Sequence, residues 1–261
     1  TPRITVAALF AGLLTKVGVY AMLRVLIMIM PGQAETLRPV ISLVAILTML
    51  TGSLGAIGMS DIRRILGYWV ISGVGVMLSG LAIGGQQAVG AAIFYMLHSM
   101  VVMAGLYFLA GLIGRACGRF DLAGLGGLFR SMPLLAASAL VLLFSVSGLP
   151  PFSGFWPKAM LVRAALDLGH WWLAAALLLS GFLVTLAAAR IFLFAFWRPA
   201  LQDEDKAPAL RLPAAVLACL AASSLAAGLW PEPLAAISAR AASGLIDPDS
   251  YIRSVFTEPH R

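Results

Sequence analysis

Charge is what this chain has least of. Only 11% of its 261 residues are charged, and Asp and Glu together number 11 against 18 Lys and Arg. An ordinary soluble domain carries about 25% charge, so that class is excluded. Cysteine is equally thin: Cys117 and Cys219 stand far apart with no CxxC or nearby Cys/His partner, so neither a disulfide framework nor a metal site is suggested and they read as small packing residues. Three histidines, His98, His170 and His260, scarcely supply axial ligands for haem. No HExxH, GxSxG, P-loop, DxxD or His–Asp pair is present, so enzyme chemistry lacks its usual residues and no cofactor or metal is expected. No cleavable signal peptide is expected from the opening residues, because Thr-Pro-Arg leads straight into a full-length apolar run. Without an initiator Met, residue 1 need not be the biological start. The net charge of +7 lies mainly in short connections between apolar runs, a pattern of membrane topology and not of nucleic-acid binding.

What fills the chain is apolar: 61% hydrophobic residues and a mean hydropathy of +0.97. Several stretches of about 20 residues carry one charge or none, the length a helix needs to cross a hydrocarbon core of about 30 Å. The expected fold is an all-α membrane protein with about seven crossings. The first span covers 4–30 and is stopped by Pro31-Gly32; the second runs over 39–59, the third over 65–83 up to Gly84-Gly85, and the fourth over 89–113. A glycine-rich connector with Arg115, Arg119, Asp121 and Arg130 follows. The fifth unit starts near Met132 and is interrupted at Gly148, Pro150 and Pro151 before resuming to about Leu168. Adjacent prolines remove two backbone donors and block the preceding turn, which predicts two half-helices sharing one crossing, with the break near 148–157. The sixth span covers 171–197 and the last 209–230, after a hydrophilic loop; residues 231–261 read as a surface tail with a short helix. In domain terms, 1–30 is a first span, 38–197 a five-span unit, and 209–230 a closing span.

Basic residues on alternate sides set the expected orientation. Arg3, Arg63, Arg64, Arg115, Arg119, Arg130, Arg198, Lys206 and Arg211 fall on one side, whereas the other short loops hold little beyond Arg38 and Arg163. The first set is cytoplasmic by the positive-inside rule, which puts the C-terminus outside, in a bacterial inner membrane.

Within this apolar background three ionisable residues stand out. Lys16 lies about 12 residues from either end of its span, roughly 18 Å along the axis, too far to reach headgroups comfortably. A Lys at a helix centre costs about 2.5 to 3.5 kcal/mol on insertion scales, and unlike Arg it can release and regain a proton. Proton handling is the sharper interpretation; a structural pair with a carboxylate from another helix is the plainer one. Lys158 follows the helix break, where exposed backbone is tolerated only against protein or a water-filled cavity. Ser145, Ser147 and Ser153 add hydroxyls there, enough for a short water chain, though a proline hinge with a lysine aimed at headgroups would also fit. His98 sits mid-span beside Ser99 and suits a proton relay, or else a core histidine bonded to a carbonyl. Tyr68 and Ser72 could line a polar path or simply pack. Arg24 and Arg190, within about two turns of their span ends, read as snorkelling anchors, and Met28, Met30, Met96, Met100 and Met103 as core or lipid-facing filler.

Four stretches in order, LFAGLLTKVGVYAMLRV, DIRRILGYWVISGVGVM, FYMLHSMVVMAGLYFLAG and SGLPPFSGFWPKAMLVRAAL, resemble the second half of the antiporter-like membrane subunits shared by Mrp-type cation/proton antiporters, respiratory complex I and membrane-bound hydrogenases. Within that group the resemblance is strongest to the D-type subunits of Mrp and extends to about Trp197. It implies fourteen helices in two five-helix inverted repeats, each with a broken helix, of which this chain would begin at the eighth and end with the fourteenth. The first repeat and its glutamate–lysine pair would then lie outside this sequence. Carried over by residue, Lys16 matches the lysine linking the two half-channels, His98 the histidine of the eleventh helix, and Lys158 the terminal lysine or glutamate of the second broken helix. There are departures: Met103 stands where many relatives carry a lysine, and Trp69 and Gly73 where many have His and Gln, so water would have to bridge His98 and Lys158.

The resemblance implies a proton-translocating subunit of a multi-subunit Na+/H+ antiporter, with other membrane subunits, H+ and Na+ as its partners and no nucleic acid. A homologous subunit of complex I or a hydrogenase is the alternative, and a non-conducting scaffold is the alternative from another class.

Overall fold

The computed structural model describes Val6, residues 10–199 and residues 211–247. The acidic stretch before Lys206 and the end of the tail lie outside the described residues. Among the described residues the chain is helical with no strands beyond one isolated bridge, and six helices are long and apolar enough to cross a membrane. It is an all-α membrane protein.

Helix α1 (10–29) is α-helical only over Thr15–Leu23, with wider π turns on either side at Phe10–Leu14 and Arg24–Ile29. Such turns are rare and cluster at functional sites. Helix α2 spans Pro31–Gly58, eight residues earlier than the expected 39–59 span. The Pro31-Gly32 stop is therefore only a break at Met30: proline fits the first helical turn, where its missing N–H bonds nothing, so Pro31 begins a helix as readily as it ends one. Pro39 is carried inside the helix.

Helix α3 (Ile62–Ile83) packs on α2 backbone to backbone: a Cβ on Gly75 would come within 2.6 Å of the Met49 amide nitrogen, and one on Gly52 would strike Ser72. Small residues permit such approach where lipid supplies no hydrophobic drive between helices. Its N-terminus is capped by Asp61, which accepts from the Arg63 amide at 2.8 Å and from the Arg63 guanidinium at 2.8 Å. That guanidinium lies 4.0 Å over the Phe120 ring, and backbone bonds from Ile62 to Phe120 and from Leu122 to Ser60 clip the two loops together.

Helix α4 (Gly85–Cys117) is the hub, touching α1, α3 and most of the elements that follow. Its 33 residues span about 50 Å. Helix α5 (Pro133–Ser147) ends at Gly148, whose φ of +83° is open to glycine and strained for other residues. Pro150 and Pro151 follow, and α6 (Phe155–Asp167) resumes, so the expected broken helix is present as two pieces. Helix α7 (Trp171–Phe192) continues as a π turn to Trp197. Helix α8 (Arg211–Leu229) lies on α4 and α5, and α9 (Glu232–Ile246) lays Ser238 and Ala242 along α4. The tail helix thus buries one face on the bundle and exposes the other.

Large apolar side chains such as Leu43, Leu47 and Leu54 on α2 and Leu178, Phe182 and Leu186 on α7 are exposed, as faces toward lipid or neighbouring subunits require. Met96 and Met103 are core, whereas Met30 is exposed. Arg190 does not reach for headgroups: its guanidinium donates to the Ile57 carbonyl, because α7 packs along α2 and the open end of that helix offers an acceptor. Arg24 bonds the Tyr20 hydroxyl at 3.1 Å.

Candidate functional site

Sequence separation hides how close the polar residues come. Helix α1 approaches α4 at Gly12, where a Cβ would stand 3.3 Å from the Met100 carbonyl, and one turn on it delivers Lys16, 3% exposed, into the bundle. His98 lies near the middle of α4 and is 4% exposed. Both line one small cavity, with Trp69, Gly73, Tyr95 and Ser99.

On its other side His98 meets the helix break. Its Nδ1 lies 2.8 Å from the Ser153 hydroxyl. Ser153 is 2.7 Å from Ser224 on α8, and Ser224 donates to Ser145 on α5 at 2.9 Å. Each hydroxyl has one hydrogen, so Ser224, already donating to Ser145, accepts from Ser153. Ser153 in turn accepts from His98, which places a proton on Nδ1; in the neutral ring Nε2 is then the acceptor. The four groups come from α4, the break, α8 and α5, and all four are buried.

Close contact at the break makes the chain of hydroxyls achievable. A Cβ on Gly154 would collide with the Ser145 carbonyl oxygen and stand 3.0 Å from His98 Nε2. Gly228, one turn beyond Ser224, lets α8 rest on the Pro151 carbonyl, and Trp156 Nε1 donates to the Gly228 carbonyl at 2.8 Å. Small residues at 224 and 228 thus form one face of α8 against the break.

Lys158 takes a different place. Its Nζ donates to the Val146 carbonyl at 2.9 Å and the Ser147 carbonyl at 2.8 Å, the last carbonyls of α5. Those acceptors have no partner within their own helix and lie at the negative end of its dipole. The lysine is half-buried and faces a cleft of about 610 Å³ between α6 and α7, lined also by Arg163, Asp167 and Thr185. His98 lies within electrostatic reach of both Lys158 and Lys16.

Of the other expected lining residues, Ser99 borders the cavity but spends its hydroxyl on the Met96 carbonyl at 3.0 Å, and Ser147 bonds the Leu143 carbonyl at 2.8 Å. Tyr68 and Ser72 lie elsewhere. Tyr68 covers Gly55, and Ser72 sits against Gly52, both in the α2–α3 contact. That face of α3 packs on α2, and neither residue borders the small cavity shared by Lys16 and His98. Sequence reasoning missed Ser224 altogether; the signal was Ser-x-x-x-Gly in an otherwise bland apolar run.

The family described as NADH:quinone oxidoreductase/Mrp antiporter, TM, matches residues 2–185. The D-type subunit of the Na(+)/H(+) antiporter of Alkalihalophilus pseudofirmus is 39% identical over 264 residues, covering 98% of this chain and 52% of that relative. Among solved structures, the Mrp complex from Dietzia sp. DQ12-45-1b aligns with a TM-score of 0.89 at 31% identity, covering 96% of this chain and 55% of that one. Respiratory complex I from Thermus thermophilus with bound NADH aligns at 0.79 and 28%, covering 88% and 50%. The chain spans about half the length of the relatives it matches. With a family match over most of its length and a relative 39% identical across nearly the whole chain, this chain belongs to the NADH:quinone oxidoreductase/Mrp antiporter membrane family.

Proposed function

We propose that this chain supplies the second half of a proton-conducting subunit in a multi-subunit Na+/H+ antiporter of a bacterial inner membrane, with its C-terminus on the outer side. The observation that carries the proposal is the buried line from Lys16 through His98 to the Ser153, Ser224 and Ser145 hydroxyls, with Lys158 in electrostatic reach of the same imidazole. Hydroxyls and an imidazole can each take a proton on one side and release one on the other, so such a line supports hydrogen-ion movement without side chains travelling far. Like charges repel strongly where the effective dielectric is low, so a proton arriving at one amine acts on the next. Coupling along the line is then electrostatic.

The same residues argue against sodium passing here. A hard cation seeks several oxygen ligands, anionic ones foremost. No Asp or Glu lies near the middle of any span, and a sodium ion would meet two amines instead. The coupled cation therefore takes another route in the complex, and the partners are further membrane subunits together with the portion that completes the family's full length.

Identity of 39% over nearly the whole chain favours the antiporter over the complex I reading. The test is antiport in vesicles carrying the assembled complex. Lys16→Ala, His98→Ala and Lys158→Ala each abolish sodium-driven proton movement on this proposal; survival of transport in all three, with assembly intact, would leave a scaffold.

A further inference from the structure

Trp69 is a residue the relay does not use. Its ring is 2% exposed, on the face of α3 turned to α4, and among the described residues its Nε1–H has no hydrogen-bond partner. Buried donors in native structures are nearly always satisfied, by protein or by ordered water. The ring lines the cavity shared by Lys16 and His98, whose volume of about 10 Å³ suits a single water. The protein groups around it are poor candidates to satisfy the indole. Ser99 is bonded to Met96, His98 Nδ1 is engaged with Ser153, and a lysine amine that carries its proton only donates. Gly73 keeps the space open: a Cβ there would stand 3.4 Å from the Tyr95 hydroxyl.

We propose that Trp69 is a positioning residue that holds one water between Lys16 and His98 by donating its indole N–H to the water's oxygen. The inference rests on the relay described above and adds the link that relay needs at its Lys16 end. Indole is a donor only, so it neither takes nor passes the proton. Its effect is to orient. With one lone pair occupied by Trp69, the water presents its hydrogens to acceptors in the cavity, the imidazole and the Tyr95 hydroxyl, and its remaining lone pair to the Lys16 amine. A histidine at this place would be a titrating member of the line, whereas tryptophan fixes the water and stays neutral.

The experiment has two arms on the assembled complex. A cryo-EM map that resolves ordered waters should show density about 2.7 to 3.2 Å from Trp69 Nε1, inside the cavity; an indole packed dry, or bonded to a protein acceptor, overturns the proposal whatever the transport result. In proteoliposomes, Trp69→Phe keeps most of the ring's bulk and removes the donor. Antiport should slow about tenfold with a shifted pH profile and an unchanged apparent affinity for sodium, and Trp69→His, which restores an N–H, should recover part of the rate. A Trp69→Phe complex with wild-type rate and pH profile overturns it too. Failure of the relay itself is separate: it would appear as transport surviving Lys16→Ala and His98→Ala, whether or not the water is seen.

Discussion

Lys16 and Lys158 are the same residue in opposed settings. Lys16 is enclosed, reached through a helix with π turns on both sides, and shares a cavity of about 10 Å³ with His98. Lys158 is half-buried, holds the carbonyl end of a half-helix and looks into a cleft of about 610 Å³. The first setting puts the amine in the same cavity as the relay's histidine, at the burial cost a lysine carries inside a span. The second gives its amine a structural task that any ion handling must share. An ionisable residue in a membrane helix is thus not one kind of evidence: what it caps or faces decides how much of it is architecture.

The largest expected effect joins both settings. Gly154→Ala drives a methyl group into the Ser145 carbonyl and against His98, so the assembled complex should fall in yield and lose antiport by about a hundredfold or more, read by native gel and vesicle assay together. Substituting the lysines then separates them. Lys16→Ala should abolish transport, at least about a hundredfold, while costing less thermal stability than Lys158→Ala, since the Lys158 amine also serves helix-end carbonyls. Lys158→Ala should lose activity and about 1 to 3 kcal/mol of stability, because two buried carbonyls lose their donor. Lys158→Arg sharpens the contrast: it keeps a donor for those carbonyls but cannot cycle a proton, so stability should hold while transport fails. Matching stability losses for the two alanine variants would erase the distinction.

Ser224→Ala is a smaller cut. It removes the middle hydroxyl, and antiport should fall about tenfold with the complex assembled and Lys158's contacts intact, as proton-flux assays can read. The mildest effect lies far from both lysines. The Arg63 guanidinium bonded to Asp61 holds its carboxyl below the usual carboxylate range. A depressed folded value means that the stabilisation is present above the unfolded pKa of 3.8 and is lost as pH falls through the folded one. Asp61→Asn should therefore cost a few tenths to about 1 kcal/mol at neutral pH, the gap to wild type closing below about pH 4, with antiport unchanged.

The sequence made the lysines and His98 visible because ionisable groups in apolar runs are expensive, and it located the helix break because adjacent prolines leave little else. Ser224 was invisible for the converse reason: serine in a run of alanine and leucine is common packing, and only the fold brings it to Ser153. Gly154 carried no signal among so many glycines. The contact of Tyr68 and Ser72 with α2 was not legible, since a helix's period says which residues share a face but not which neighbour that face meets. Trp69 registered only as a departure from the relatives' pattern, and its unmet donor needed coordinates. The early start of α2 shows the same limit on a smaller scale, proline being equally at home just before a helix and just inside one.

The two π turns that bracket Lys16 protect azimuth in α1. Each such turn absorbs a surplus residue that would otherwise rotate everything beyond it by about 100° around a regular helix. Deleting a single position from either stretch would relax it to ordinary winding and leave the parts on its two sides in nearly the same phase. The membrane would still be crossed. The amine would keep its heading, so the surplus residues are tolerated where an insertion into regular winding would not be.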